Sequence, residues 1–185
     1  MGAALIPLAE VLNRLAQVFK KEGYDSATLS RLSSATGLGK ASLYHHFPGG
    51  KVDMAIAVAE RSNRIFHEQI IAPLQSDGDP VKRIEQMIKH LNIYYSQGEE
   101  SCLLGMLAMG GSAPLFQEQV RRGLGDWIKA LAQALIQAGF STTEADQRAE
   151  DTVFRIEGAL LVARGTGDPS PFRRMLTQLK SQLLQ

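Results

Sequence analysis

Lys40, Ala41, Ser42, Tyr44 and His45 are clustered in one short stretch of the chain, and their types suit contact with a polyanion rather than covalent chemistry. A lysine is a long cationic donor, a serine hydroxyl donates to or accepts from base edges and phosphates, and a tyrosine hydroxyl donates to a phosphate oxygen. Thr28 and Lys51 fall where helices are expected to begin, and there the free backbone N–H groups and positive dipole end favour a phosphate oxygen. The same spacing argues against an enzyme or a metal centre. His45 and His46 are adjacent, so on a helix they project about 100° apart and do not bind one ion together. His67 and His90 stand alone on separate helices, and no nucleophile–base pair or Gly-rich phosphate loop is visible. No cofactor or metal is therefore expected, and catalysis is not.

The elements that must position these residues are short. Between Ala27 and Phe47 lie two helical segments, TLSRLSSA and KASLYHHF, separated by Thr36, Gly37, Leu38 and Gly39. Isolated helices below about 12 to 15 residues are marginal in water, so both segments need packing to exist. Leu29, Leu32, Leu38, Leu43 and Phe47 can point inward together against a first helix, whose face is lined by Leu8, Leu12, Leu15 and Phe19 and which ends at Gly23. Gly37 sits where the chain reverses sharply, a position that favours a residue tolerant of positive φ. The layout is that of a helix-turn-helix, whose second helix enters a major groove and presents Lys40, Ala41, Ser42, Tyr44 and His45.

The stretch GYDSATLSRLSSATGLGKASLYHHFPGGKVDMA also resembles the DNA-binding segment of TetR-family bacterial transcriptional regulators. In that family a Gly-Tyr after the first helix is followed by Thr, an Ala-Gly-type turn, a Leu-Tyr-His run, and a Lys that opens the fourth helix. The resemblance covers residues 5 to 60. Beyond them it extends only to helix pattern, with SCLLGMLA and GALLVARGTGDPSPF faintly similar to multidrug-related and small-aromatic-responsive members. It implies a three-helix DNA-binding module over residues 1–50 and a linking fourth helix over 51–73. A domain over 74–185 would bind a small apolar or aromatic effector and form a homodimer through the last two helices. The family's DNA-contacting roles fall on Thr28, Lys40, Ser42, Tyr44, His45 and Lys51. The function implied is a repressor that leaves a palindromic operator in double-stranded DNA when its effector binds. One departure is Gly39, where the family usually has Ser or Thr; Gly is a fair N-cap, about a few tenths of a kcal/mol worse.

Composition sets the frame. The chain has 185 residues, 44% of them apolar, which suffices for a buried core without staples. A single cysteine excludes an internal disulfide scaffold. No apolar run approaches the about 18 residues of a membrane span, and the opening MGAALIPLAE carries Glu10 with no basic n-region, so neither membrane nor signal peptide is read and a cytoplasmic protein is expected. Net charge is only +1, yet it is unevenly spread. Residues 1–66 hold 8 Lys/Arg against 5 Asp/Glu, a net of +3, whereas residues 67–185 hold 12 against 14, a net of −2. The basic end is the candidate polyanion face.

Helical periodicity runs through the remainder. Val52, Ile56, Ala59, Phe66 and Ile70 mark a long helix ending at Pro73, and Asp79 with Pro80 opens the next, striped by Ile84, Met87, Leu91 and Tyr94. Pro114 opens a helix carrying Val120, Leu124, Trp127, Leu131 and Leu135. Ser141 and Glu144 have the spacing of a capping box ahead of a helix striped by Ala149, Val153, Ile156, Leu160 and Ala163. Asp168 and Pro169 start a last helix with Phe172, Leu176, Leu179 and Leu183. No run alternates apolar and polar residues with β-branched enrichment, so the fold class is all-α with about nine helices. Met87, Tyr94, Met106, Met109, Phe116, Trp127 and Phe154 are the candidate ligand-binding residues, although each equally suits an ordinary core. Cys102, flanked by Glu99 and Glu100, reads as a small buried residue rather than a reactive thiol.

Overall fold

The computed structural model describes residues 6–184. They form α1 (Leu8–Ser26), α2 (Leu29–Thr36), α3 (Lys40–His46), α4 (Lys51–Phe66), α5 (Ala72–Gln75), α6 (Pro80–Tyr94), α7 (Leu103–Leu107), α8 (Gln117–Gln137), α9 (Thr142–Thr166) and α10 (Ser170–Leu184). A π-helical turn over His67–Ile71 joins α4 to α5 without a break, so the described residues make nine helical rods and no strand. Short 3-10 turns at Ser96–Gly98 and Ala113–Phe116 complete the path.

Pro73 does not end the fourth rod as its position in the sequence suggests; α5 continues to Gln75. A proline has no N–H to donate and its ring collides with the carbonyl four residues earlier, here that of Gln69. The π turn widens the backbone over that stretch and leaves the Gln69 carbonyl to an outside donor. His90 of α6 fills the role, its Nδ1–H lying 2.8 Å from the Gln69 oxygen. His90 is thus a structural cap.

The chain packs into two compact units. The first runs to Asn63 and takes in Leu103–Val120; the second comprises Arg64–Cys102 and Arg121–Gln185. The expected boundaries at 50 and 74 differ from these, because the segment around α7 packs on α1 rather than with its neighbours in sequence. The Met106 Cε lies 3.6 Å from where a side chain on Gly23 would begin, and the Phe116 ring meets that of Tyr24 edge-on at 4.8 Å. Gly23 has φ 74°, which breaks α1 where the sequence places its end.

In the first unit Val11, Leu15, Phe19, Leu32, Leu43, Met54 and Ala55 are fully buried. Leu8, expected on the inner face, is half exposed, because the buried row on α1 starts one turn later at Val11. On α4 the buried residues are Met54, Ala55, Val58 and Ala59, with Val52 and Ile56 only half-buried. Apolar residues surround that helix on several sides, so periodicity alone does not choose the packed one.

The second unit follows its stripes more closely. Ile84, Met87 and Leu91 of α6, Trp127, Leu131 and Leu135 of α8, and Ala149, Val153, Ile156, Leu160 and Ala163 of α9 are buried with Phe172, Leu176, Leu179 and Leu183 of α10. The caps are where the sequence places them. Asp79 accepts from the Val81 N–H at 2.9 Å ahead of Pro80, and Ser141 and Glu144 close a reciprocal capping box. Asp168 accepts from the Ser170 N–H at 2.9 Å. Buried Arg83 donates to the carbonyls of Leu74 at 2.6 Å and Ser76 at 2.7 Å, satisfying the end of α5. Among the described residues no helix is long and apolar enough to cross a membrane.

Candidate nucleic-acid interface

The reading helix α3 has seven residues, about 10 Å of helix, and depends on its surroundings for its shape. Leu43 and, just past its end, Phe47 are buried, and they leave Lys40, Ala41, Ser42, Tyr44, His45 and His46 exposed on the outer side. The five residues expected to face DNA therefore share one solvent-accessible helix. His46 joins them, its ring 5.8 Å from that of His45.

The turn that aims this helix is closed by hydrogen bonds at each joint. Gly37 ends α2 in the left-handed region, φ 72° and ψ 8°. Thr36 is fully buried; its hydroxyl donates to the Leu32 carbonyl at 2.8 Å and accepts from the Leu38 N–H at 3.3 Å. The Ser33 hydroxyl donates to the Leu38 carbonyl at 2.7 Å. From α1, Arg14 donates to the Thr36 carbonyl at 3.2 Å while Glu10 holds its guanidinium at 2.7 Å. That hydrogen bond with Arg14 keeps the Glu10 carboxyl below its ordinary range. Local spacing marks Glu10 and Arg14 only as an i,i+4 ion pair within α1; the reach of Arg14 to Thr36 and of Ser33 to Leu38 depends on how the helices meet.

Thr28 caps α2, its hydroxyl oxygen accepting from the Arg31 N–H at 3.3 Å; the side chain is exposed and its proton remains available to an acceptor. Lys51 does not stand free. Its Nζ donates to the Tyr24 carbonyl at 3.0 Å and lies 4.2 Å from the centre of the Tyr24 ring, so it ties the start of α4 to the end of α1. Tyr44 lies against Gly50, where φ is +69° and a Cβ would approach Tyr44 Cε1 to 3.2 Å. Gly39 caps α3 without a side-chain hydrogen bond, as its lack of a side chain requires. Next in sequence to Tyr24, the Asp25 carboxylate takes hydrogen bonds from the Ser112 hydroxyl and from the backbone of Ser112 and Gly111. The Ser112 hydroxyl is the main influence holding the Asp25 carboxyl below its usual range.

The candidate ligand residues do not form one set. Met106, Met109 and Phe116 belong to the first unit, where Phe116 is fully buried, Met106 half-buried and Met109 exposed. Met87, Tyr94, Trp127 and Phe154 belong to the second. There Met87 and Trp127 are buried, Tyr94 is half-buried, and Phe154 is 63% exposed on α9 rather than part of an interior. Phe66 links two of them, its ring 5.2 Å from Tyr94 and 5.0 Å from Trp127. Cys102 is buried, with Glu157 of α9 hydrogen-bonded to its thiol.

A buried-core helical trio with a polar, outward second helix after a locked turn is a helix-turn-helix DNA-binding protein. Residues 11–58 match the family described as bacterial regulatory proteins, tetR family, and residues 80–178 match the C-terminal domain described as transcriptional regulator LmrA/YxaF-like. The chain belongs to the TetR family of transcriptional regulators. It is 27% identical to the HTH-type transcriptional regulator LmrA of Bacillus subtilis over 88% of each chain. It is 25% identical to the uncharacterized HTH-type regulator YxaF of the same organism, over 92% of this chain and 91% of that one. The fold is shared with a TetR transcriptional regulator from Legionella pneumophila at a TM-score of 0.84 and 20% identity, over 98% and 99% of the two chains. Regulators of this family bind DNA operators and dimerise.

Proposed function

We propose that the chain is a cytoplasmic, ligand-responsive repressor that leaves a palindromic operator when a small apolar or aromatic molecule binds its C-terminal domain. The observation that carries this reading is the exposed face of α3 on a turn locked by Thr36, Ser33 and Arg14. Lys40, Ala41, Ser42, Tyr44 and His45 read base edges and phosphates in the major groove. Thr28 contacts a backbone phosphate, and Lys51, which keeps donors beyond the one given to Tyr24, supports a second.

Dimerisation rests on α9. Phe154, Leu161 and Val162 are 63%, 54% and 49% exposed there, and the glycines at 158 and 165 leave open space beside them. An apolar face of this size on α9 suits a four-helix bundle in which α9 and α10 pair with the same two helices of a second copy. Phe154 serves this face rather than an effector pocket. A two-fold dimer carries two reading helices to the two halves of a palindrome. Ligand binding then acts by differential affinity for the arrangement that fits both half-sites and those that do not.

The test is nuclease protection of a palindrome in the DNA flanking the coding region by the purified protein, with affinity falling steeply as salt rises. Lys40→Ala combined with Tyr44→Ala is expected to weaken operator binding at least about 100-fold, since each lost contact costs about 1 to 3 kcal/mol in each half-site. The dimer should persist by size-exclusion chromatography. Normal operator binding by that double variant would overturn the assignment of the reading head.

A further inference from the structure

The interior of the second unit holds a carboxyl group that the fold does not use. Glu157 of α9 has Oε1 buried with no hydrogen-bond partner among the described residues. The Cys102 thiol hydrogen-bonds the same carboxyl group and favours its charged form, but burial is the larger influence and pushes its pKa up. Among the described residues no lysine or arginine contributes to holding it ionised. Cys102 also hydrogen-bonds Tyr95, which is fully buried. From Tyr95 a run of rings continues, each edge-on to the next: Tyr94 at 5.0 Å, then Phe66 at 5.2 Å, then Trp127 at 5.0 Å. The run ends on a second orphan, because the Trp127 indole N–H is buried without a partner. Native interiors rarely leave such groups unsatisfied, and each one calls for an occupant or a function.

We infer that the effector bound in the second unit carries a protonated amine on an aromatic or apolar body, with the Glu157 carboxylate taking the ammonium and the Tyr94, Phe66 and Trp127 rings taking the body. The inference rests on the ligand-responsive reading above and names the chemistry of its ligand. A neutral hydroxyl could satisfy Oε1, but only a cation also offsets the burial that opposes the ionised carboxyl. An ammonium supplies both the hydrogen bond and the opposite charge. Aromatic faces add attraction for a cation and stack on an aromatic body. Phe66, Tyr94 and Glu157 are each half-buried, so the run reaches solvent at its polar end and along its side.

The experiment uses the full chain and a matched pair of probes, 4-phenylbutylamine and 4-phenylbutan-1-ol, which share a body and differ in the charged head. Trp127 is the only tryptophan of the chain, so its emission reports this site directly. The amine is expected to change Trp127 emission saturably and to bind about tenfold more tightly than the alcohol, the discrimination of one good charge-assisted contact. Glu157→Gln should abolish that preference while leaving alcohol binding within about twofold and operator affinity unchanged. Glu157→Asp, which keeps the charge on a shorter stem, should retain part of the preference. No saturable response to the amine, equal affinity for the two probes, or a preference that survives Glu157→Gln would overturn the inference. If the amine binds through Glu157 and operator affinity does not change, the ligand-responsive reading fails and the cation site stands.

Discussion

The helix-turn-helix module and the second unit treat their polar groups in opposite ways. At the α2–α3 turn the exposed ends of two short helices are closed by Thr36, Ser33 and Arg14, and α4 is opened by Asp53, which accepts from the Gly49 N–H at 2.6 Å. In the second unit the long helices are capped just as well, yet Glu157 Oε1 and Trp127 Nε1 stay buried and unpartnered. A reading surface has to hold its side chains in one geometry, and closed hydrogen bonds do that. A receptor interior has to gain something when its ligand arrives, and an orphaned acceptor beside aromatic rings provides the difference in free energy.

Removing a core side chain from the module breaks the comparison most strongly. Leu43 is fully buried, and Leu43→Ala is expected to cost about 2 to 5 kcal/mol. Because α3 has only seven residues, operator binding should be lost. Trp127 emission should keep its native maximum, since that ring lies in the other unit; a red shift would show that the second unit does not hold its interior alone.

Next in size is Gly110→Ala. Gly110 has φ +90°, and an added Cβ would lie 2.4 Å from the Asp25 Oδ2. Backbone strain and displacement of Asp25 together should cost about 1 to 3 kcal/mol, read as a lower urea midpoint at unchanged slope. An unchanged midpoint would show that the Asp25–Ser112 link is not part of what holds the α7 segment to α1.

Glu157→Gln sharpens the contrast through pH. The folded pKa of Glu157 is raised by burial, so the native state binds a proton that the unfolded chain has given up. Wild-type stability therefore falls as pH rises from the ordinary glutamate value of 4.5 through the raised folded value, while the glutamine variant lacks this slope. The variant should be more stable above that window by about 1 kcal/mol, with the difference vanishing below it. Tyr95 and Cys102 face the carboxyl, and burial keeps the Tyr95 phenol neutral throughout this range. Thermal melts across pH 4 to 8 check this range directly; a lower melting temperature for the variant at neutral pH would contradict the account.

The smallest expected effect is a gain. Gly39→Ser restores a capping side chain to α3, and nothing lies within 4 Å of the added Cβ. Stability should rise by a few tenths of a kcal/mol, resolvable in paired urea titrations, and any large loss would mean that the backbone at Gly39 needs more freedom than its φ of −63° implies.

Local features were legible because their causes are local. The capping pairs Asp79–Pro80 and Ser141–Glu144, the glycine reversal at Gly37, and the stripes of α6, α9 and α10 depend on residues a turn or two apart. The polar face of α3 was legible for the same reason: once Leu43 and Phe47 point inward, helical geometry sends Ala41 and His45 outward with Ser42 and Tyr44 on the flanks, while Lys40 is exposed because it opens the helix. The π turn at His67–Ile71 was half visible. Pro73 announced a disturbed ladder, but the sequence could not show that His90 of α6 would accept the freed carbonyl's demand for a donor and let the helix run on.

What the sequence determined by itself is thus an all-α chain with a helix-turn-helix reading head, since both follow from periodicity, caps and one turn. Tertiary structure alone decided that Leu103–Val120 joins the first unit, that Lys51 is engaged by Tyr24, that Phe154 faces outward, and that the Glu157 Oε1 lies buried without a partner among the described residues. These depend on contacts between residues far apart in the chain. An exposed charge and a buried one read identically as letters; only the packing of α9 against its neighbours removes water from Glu157 and gives that carboxyl something left to bind.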